Sequence, residues 1–386
     1  MARRSQQDRL LREAVQSFRG LPRKYQIALA VIALLSVLVW FVYQATRSPY
    51  GNQPPVTGTN PDGSGSYLFC FWNVENLFDD SNDNRRTVDE EFDDPFAADE
   101  GLRREKYDRI ADALLAMNGG RGPDVIAAVE VESVRAAELL RETLNRKLNE
   151  AKAEPVWQYT QVAMRNLDAG RHIAPCLITR LNVAHAETRL HGRQLRILEA
   201  HVAANGHNLT LIASHWTSQL RQRDGGDGDD GRAKYAQLIN DVYQDAVRSR
   251  PDVDLLVCGD FNDTPDSEPV AGILRATGDR SRVVPGADPP LLLNLLAGKS
   301  AEQFGTLWYR EPLIYDQVCV SPGMLDSVGW SCDPDSVRVP VDGLTRSSSR
   351  REPWRFGNPG TAPAGGRGYS DHFPVTVTLR VAPKSE

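Results

Sequence analysis

Short apolar runs that end on a carboxylate, a carboxamide or a histidine recur along this chain, and they restrict its fold more than any other feature. In Leu255 to Pro265, LLVCGDFNDTP, four apolar residues run into Gly259, Asp260, Phe261 and Asn262. An unbroken apolar run that a glycine stops reads as a buried strand leading into a tight turn. Side chains alternate across a strand, so Asp260 and Asn262 point the same way and can share a water, a phosphate or a metal ion. A polar turn whose Asp and Asn serve backbone amides gives the same pattern. The stretch therefore gains meaning only from its counterparts elsewhere.

Those counterparts are several. Tyr67 to Asn73, YLFCFWN, delivers Asn73 and Glu75 at its end, and Val125 to Val129 ends on Glu130 and Glu132. Trp157 to Met164, Ala174 to Thr179, Leu195 to Val202 and Leu209 to Ser214 follow as strands, the last reaching Ser214-His215-Trp216. Tyr315 to Ser321 carries Asp316, and Tyr369-Ser370-Asp371-His372 precedes a last strand, Phe373 to Leu379. Between them lie helical patterns: Tyr107, Ile110, Leu114 and Met117, closed by Gly119 and Gly120; then Leu139, Leu140, Leu144 and Leu148; then Tyr235, Leu238, Ile239, Val242 and Ala246; and a further helix after Pro265. A strand, a helix and a strand at the start, with short turns such as His191-Gly192 and Asn205-Gly206 later, predict an α/β domain with antiparallel members in its sheet. Asp79 to Glu100, with ten acids, reads as a solvated surface loop. The Gly/Asp loop Arg223 to Gly231 lacks the spacing of a calcium loop. No internal repeat is visible.

The N-terminal region differs in kind. Residues 1–24 carry seven Lys or Arg against Asp8 and Glu13, and Ile27 to Tyr43 is free of charge. With its flanks, 25–44 approaches the roughly 20 residues that span a hydrocarbon core, and Trp40 and Tyr43 suit an interface. The exit, Val42 to Arg47, is a poor cleavage site, so the expectation is one uncleaved transmembrane signal anchor with a basic cytoplasmic tail, 1–24. Residues 45–66 read as a flexible linker. The globular domain, 67–382, then lies outside the cytoplasm at the cell membrane. Of the five cysteines, Cys70, Cys176, Cys258 and Cys319 sit in apolar runs and read as buried thiols, with a disulfide left open only for Cys332.

Asn73 in FWNVENLFD, Glu130 in PDVIAAVEVE, His215 in ASHW, Asp260 and Asn262 in GDFN, Asp316 in YDQVCVS and Asp371-His372 in YSDHFPV resemble, in order and context, the endonuclease/exonuclease/phosphatase (DNase I-like) superfamily, over about Tyr67 to Val381. The NVENLFD and HW forms are similar to those of bacterial extracellular nucleases. The resemblance implies a four-layer sandwich, two mixed β-sheets face to face with helices outside, and a site along one rim. It implies Glu130 as the main Mg²⁺ ligand (Mn²⁺ serving as well), with Asn73, Glu75 and Asp371 around it. Asp260 and Asn262 would orient water and phosphate, Asp316 would hold His372, and His215 would stabilise the phosphate or protonate the leaving oxygen. Trp216, Trp354 and Arg355 are the expected substrate contacts.

The chemistry fits these residue types. Phosphodiester hydrolysis wants a hard cation on the oxygens, a positioned water and an acid for the departing alkoxide. His172, His185, His191, His201 and His207 stand in no such context and read as surface or core residues. Val129 and Ser214 stand where many relatives have Gln and Asn, and Gly170-Arg171-His172 lacks a common Asp, which leaves the substrate less defined than the reaction. Three functions compete: a nuclease, a phosphatase or phospholipid phosphodiesterase, and a non-catalytic anchored binding module, with no protein partner inferred. The intact motifs favour catalysis. Charge is awkward for a polyanion: the chain is at −6 and residues 1–24 contribute +5 (seven bases less two acids), leaving −6 − 5 = −11. Asp342 to Gly368, arginine-rich and carrying Trp354, is the local exception, and nuclease is the favoured reading.

Overall fold

The computed structural model describes residues 22–23, 65–83, 89–167, 170–192, 194–219, 228–347 and 350–383. The chain divides into two units, Met1–Asn52 and Gln53–Glu386, and all the described strands lie in the second. The predicted span at 25–44, nearly all of the linker, and most of the Gly/Asp loop lie outside the described residues. Among the described residues no helix is long and apolar enough to cross a membrane.

Two mixed sheets make the body. The first runs Trp330–Cys332, Val375–Val381, Ser66–Leu77, Val125–Val131, Ala174–Thr179, Gln161–Met164, and only Ser66–Leu77 and Val125–Val131 pair in parallel. The second runs Ala276–Thr277, Leu292–Asn294, Asp316–Val320, Leu255–Asp260, His207–His215, Ile197–Ala204, Asn182–Val183, with Arg189–Leu190 also on Ile197–Ala204. Its central pair, His207–His215 with Leu255–Asp260, is again parallel. Helices Glu100–Leu115 and Val134–Glu150 cover the first sheet, and Gly228–Ser249 covers the second. Both helices on the first sheet start on side-chain caps, Asp99 accepting from the Leu102 amide and Ser133 from the Ala136 amide.

Alternation places the site. Along Leu255–Asp260, Leu256 and Cys258 pack into the core between the sheets while Leu255 and Val257 meet the helix Gly228–Ser249. Asp260 continues the inner parity, as do His215 after Leu211 and Ala213, and Asp316 before Val318 and Val320. The register aligns His215 with Asp260 and Asp260 with Asp316, so three polar side chains lie in one row across three strands. Gly259 is needed one step earlier because a Cβ there would lie 2.5 Å from the Ser214 carbonyl oxygen.

Three local readings are corrected. Much of the acidic stretch read as a loop is the helix Glu90–Ala98. Phe92 and Phe96, four residues apart, bury against Phe78 and Phe356, and burial of each ring contributes roughly 1.5–3 kcal/mol. Like charges at helical spacing cost only a few tenths of a kcal/mol each, and Glu90, Glu91 and Asp93 fall in the first turn where the helix dipole favours them. The run from Trp157 opens with a 3-10 turn, Pro155–Trp157, and becomes a strand only at Gln161–Met164. The helix after Pro265 is a single π turn, Glu268–Ile273. All five cysteines are buried and free, Cys332 included.

At the start of the strand that ends on Asp260, burial pushes the Asp254 carboxyl up to about 7, against the Trp330 amide that donates to it at 2.9 Å. An unfolded Asp titrates near pH 3.9. The folded state binds the proton more tightly, so this group's contribution is present below about pH 4 and is lost as pH rises towards 7. Asp254→Asn, which keeps an acceptor for Trp330, is expected to raise Tm by several degrees at pH ~8 and by almost nothing at pH ~4, in paired thermal melts.

Candidate active site

Strand ends from both sheets meet in one buried polar cluster. From the first sheet, Asn73 Nδ2 donates to Glu130 Oε1 at 3.3 Å and to Asp260 Oδ2, across the gap, at 3.1 Å. The Asn76 amide donates to Glu130 Oε2 at 3.0 Å. From the second, Asp260 Oδ2 lies 3.6 Å from His215 Nε2 and 3.8 Å from His372 Nε2. His372 Nδ1 meets Asp316 Oδ2 at 2.7 Å, and Asp316 is fully buried. The backbone turns left-handed at Glu75, Asn76, Glu130 and Asn262, with φ of 50°, 57°, 65° and 51°. Four side-chain-bearing residues in that region at one rim are strain held by their surroundings.

The two histidines differ in proton content. Burial would lower His372, but Asp316, Asp260 and Asp371 outweigh it and hold the ring well above the ordinary histidine value. His215 is pushed well below that value by burial, then by Arg196, His372 and Arg171. Its Nδ1 lies 3.0 Å from Arg196 Nη1. A guanidinium only donates, so Nδ1 is the acceptor and the proton of a neutral ring sits on Nε2, facing Asp260 and Glu130. His215 is thus a fixed hydrogen-bond donor, which suits stabilising a phosphate better than giving up a proton. Arg196→Met is expected to lower kcat/KM by about tenfold or more and to let a proton appear on Nδ1, seen by nitrogen NMR of the ring. An unchanged tautomer in that variant would remove the role given to Arg196.

Asp260 is pushed up to about 6, by burial first and by Asp316, with His372 pulling the other way. Asn262 donates its amide N–H to Asp260 Oδ1 at 3.0 Å and its Nδ2 to the Trp216 carbonyl at 3.2 Å. Trp216 itself corrects the expectation of a substrate contact: it is fully buried, stacked on Phe261 at 4.4 Å and Tyr235 at 6.3 Å, and braces the row from behind. Glu75 is buried, and its oxygens accept from Arg355 Nε at 2.9 Å, the Phe356 amide at 2.8 Å and the Gly357 amide at 3.2 Å. Its carboxylate ties the segment after Arg350–Pro353 to the first sheet, where a metal ligand was expected. Arg355 is exposed and stands 3.7 Å from Asp371. Trp354 is half-buried, bonded through Nε1 to the Gly366 carbonyl and lying under Arg109.

Glu130, Asp371 and the Asn73 amide oxygen offer only oxygen donors, the set that suits a hard cation such as Mg²⁺ and not a thiolate- or imidazole-seeking metal. Desolvation and then the nearby Glu75 and Glu130 carboxylates push Asp371 up to about 7, and a cation would relieve that repulsion, so the residues present fit a divalent ion. Asp260, Asp316 and His372 also lie close enough to share one, although Asp316 Oδ2 and His372 Nδ1 are bonded to each other.

Several cations here escaped the sequence reading. Lys106 is fully buried, donates to the Tyr369 carbonyl at 2.7 Å and lies 4.9 Å above the Phe356 ring. Burial brings it down to about 8, while Glu75, Asp371 and Glu130 pull upward. It falls on the stripe Leu102, Lys106, Ile110, Ala113, a lysine at apolar spacing, which was a readable signal. Arg171 bonds Asn76 Oδ1 at 2.6 Å and Asp89 at 2.8 Å. With Arg196 and Arg355 these cations answer the chain's acidic excess at the place where an anion would bind. His191 and His201 lie apart from the site, both against Glu199.

In comparisons with solved structures, a humanized TDP2 from D. rerio aligns with 82% of this chain and 100% of its own at 16% identity and a TM-score of 0.46. The mannosyl-6-phosphatase Bt3783 of Bacteroides thetaiotaomicron aligns over 81% and 99% at 13% identity and 0.48. Beta toxin from Staphylococcus aureus, a mutant solved with bound magnesium ions, aligns over 81% and 99% at 13% and 0.46. Among curated proteins no match was found. The family profile, in contrast, matches residues 68–381, spanning every strand end that carries a residue of the cluster, and the chain belongs to the endonuclease/exonuclease/phosphatase family.

Proposed function

We propose that this chain is a divalent-metal-dependent phosphodiesterase, held to a membrane by its N-terminal segment, that hydrolyses nucleic-acid phosphodiester bonds outside the cytoplasm. One observation carries the reading: Asp260 stands between two imidazoles of opposite proton content, 3.6 and 3.8 Å away, and faces the all-oxygen group around Glu130. Asp260, raised to about 6, is ionised at neutral pH yet basic enough to take a proton from an attacking water. Asn262 holds it through the backbone amide. His215, neutral, donates from Nε2 to a phosphoryl oxygen. His372, protonated and fixed by Asp316, presents Nε2–H to the same anion or to the departing oxygen. Glu130, with Asn73 and Asp371, would hold the divalent ion, whose contribution is neutralising charge on the phosphoryl oxygens. Exposed Arg355 beside Asp371 supports an anionic substrate that extends past the reacting phosphate.

The deciding assay sets the full chain against plasmid DNA, single-stranded DNA, RNA, sphingomyelin, a phosphoinositide and a phosphomonoester. Turnover of nucleic acid is expected. Turnover of a phospholipid or phosphomonoester alone would transfer the same chemistry to the second reading. Protease added to intact cells is expected to digest the domain, and cleavage only after lysis would reverse the orientation.

A further inference from the structure

We propose that Lys106 is a positioning residue that seats the turn carrying Asp371 and His372 on the helix Glu100–Leu115, and so sets the place of Asp371 before a cation arrives. This rests on the divalent-ion site of the phosphodiesterase reading. The helix turns Lys106 inward, where its side chain is fully buried. Taking an ammonium out of water is costly, and an apolar side chain of the same length would fill the stripe without that cost. What the lysine adds lies at its tip. Nζ donates to the Tyr369 carbonyl at 2.7 Å and lies 4.9 Å from the Phe356 ring centre.

Those two contacts belong to opposite limbs of one closed loop. The Trp354 carbonyl accepts from the Tyr369 amide, and the Arg355 carbonyl from the Gly368 amide at 2.8 Å, so the chain from 354 to 369 returns to its start. Glycine is required at the crossing, because a Cβ on Gly368 would run into the Trp354 carbonyl oxygen. Lys106 stands at the neck, against Phe356 on the outgoing limb and Tyr369 on the returning one. The returning limb leads straight into Ser370, Asp371 and His372. Ser370 Oγ donates to the Asn73 carbonyl at 2.6 Å and accepts from the His372 amide at 3.1 Å, and Trp72 Nε1 donates to the His372 carbonyl at 2.8 Å. The turn is thus tied to the first sheet on both sides of Asp371 and to the helix one step earlier. Of these ties only that of Lys106 is charged, and a charge-assisted bond is the strongest a carbonyl can receive. Burial works against that charge, while Glu75, Asp371 and Glu130 work for it. Asp371 meets Arg355 at 3.7 Å and His372 Nε2 at 4.0 Å, both beyond hydrogen-bond distance, so its place is set by the backbone of the turn.

The test titrates Mn²⁺ into the metal-free full chain by calorimetry, for wild type, Lys106→Met, Asp371→Asn and the double variant. Lys106→Met is expected to weaken Mn²⁺ binding about tenfold, the worth of one hydrogen bond to a charged group, and to add little in the Asp371→Asn background, since it acts through Asp371. A lysine that served only as a nearby like charge would repel the ion, and its removal would tighten binding instead. Tighter or unchanged binding in Lys106→Met, an Asp371→Asn chain that binds as wild type does, or full additivity of the two overturns the role. Hydrogen exchange of the metal-free chain is the second readout. The amides of 370–372 are expected to exchange faster in Lys106→Met, with the helix Glu100–Leu115 protected as in wild type. Loss of protection in the helix as well, or a variant that does not fold, assigns the lysine to the core and overturns the proposal. A chain that shows this binding pattern yet hydrolyses no phosphoester overturns the phosphodiesterase reading and leaves the positioning role standing. One that binds no Mn²⁺ overturns both.

Discussion

Replacing His372 with alanine is expected to lower kcat/KM by about a thousandfold, and Asp316→Asn by nearly as much, while the double variant loses little more than the worse single. The reason lies in one contact. Asp316 is fully buried, its Oδ2 is 2.7 Å from His372 Nδ1, and it is the first charge to overcome the burial that would otherwise discharge the ring. An amide at 316 removes that charge and can offer Nδ1 the wrong partner, so either substitution disables the same unit. His215 has Arg196 on its Nδ1 instead, and His215→Ala combined with Asp316→Asn should be closer to additive. A double-mutant cycle on a soluble phosphodiester measures both couplings. Equal coupling of Asp316 to the two histidines would refute the pairing. The rising limb of kcat/KM against pH should centre near 6, where burial holds Asp260, and should vanish in Asp260→Asn together with most of the activity.

The second large effect concerns the oxygen donors. Activity is expected to fall to background in EDTA and to return with Mg²⁺ or Mn²⁺. Glu130→Gln should cost about a hundredfold or more at saturating metal, because the missing charge stabilises the transition state by several kcal/mol. Glu130 is held at both oxygens, by Asn73 Nδ2 and the Asn76 amide, so a glutamine there loses the charge and turns an N–H toward one of those donors. Titration of Mn²⁺ binding by calorimetry separates a lost ligand from a misfolded site. Hydrolysis that persists in EDTA would sink the assignment.

Locality decides how much of this molecule could be read from its sequence. A strand that stops on Asp260 or Glu130 declares itself through its own apolar run, and the order of six such ends specifies the family. Partners brought in from elsewhere do not declare themselves. Arg196 enters because it lies opposite His215 in an antiparallel pair, its carbonyl accepting the His215 amide at 3.0 Å, and residue types alone do not give that register. The resemblance implied Glu75 as a ligand, but the glycine-rich segment after Trp354 returns to it from 280 residues away. Phe92 and Phe96 were hidden by the acids around them, since a count of charge is blind to two rings on one face. Trp216 was misplaced for a related reason. Its neighbour His215 points between the sheets, and the next residue in a strand direction points the other way.

The pairing of Ser66–Leu77 with Val375–Val381 bears on when the enzyme becomes active. Tyr67 lies opposite Leu379, so the strand that presents Asn73 acquires one of its two neighbours only from the far end of the sequence. His372 reaches Asp316 through the same late segment. During synthesis the ribosome must deliver nearly all of the domain before any of these contacts can close, and long-range pairings of this kind form last and slowly. A partly made chain lacks these contacts, so its acids and histidines are not yet brought together. A phosphoesterase assembled in this order would thereby stay inactive until that strand is in place. Loss of activity and exposure of the buried Trp72 should accordingly coincide along a denaturant titration, with no inactive but still folded form between them.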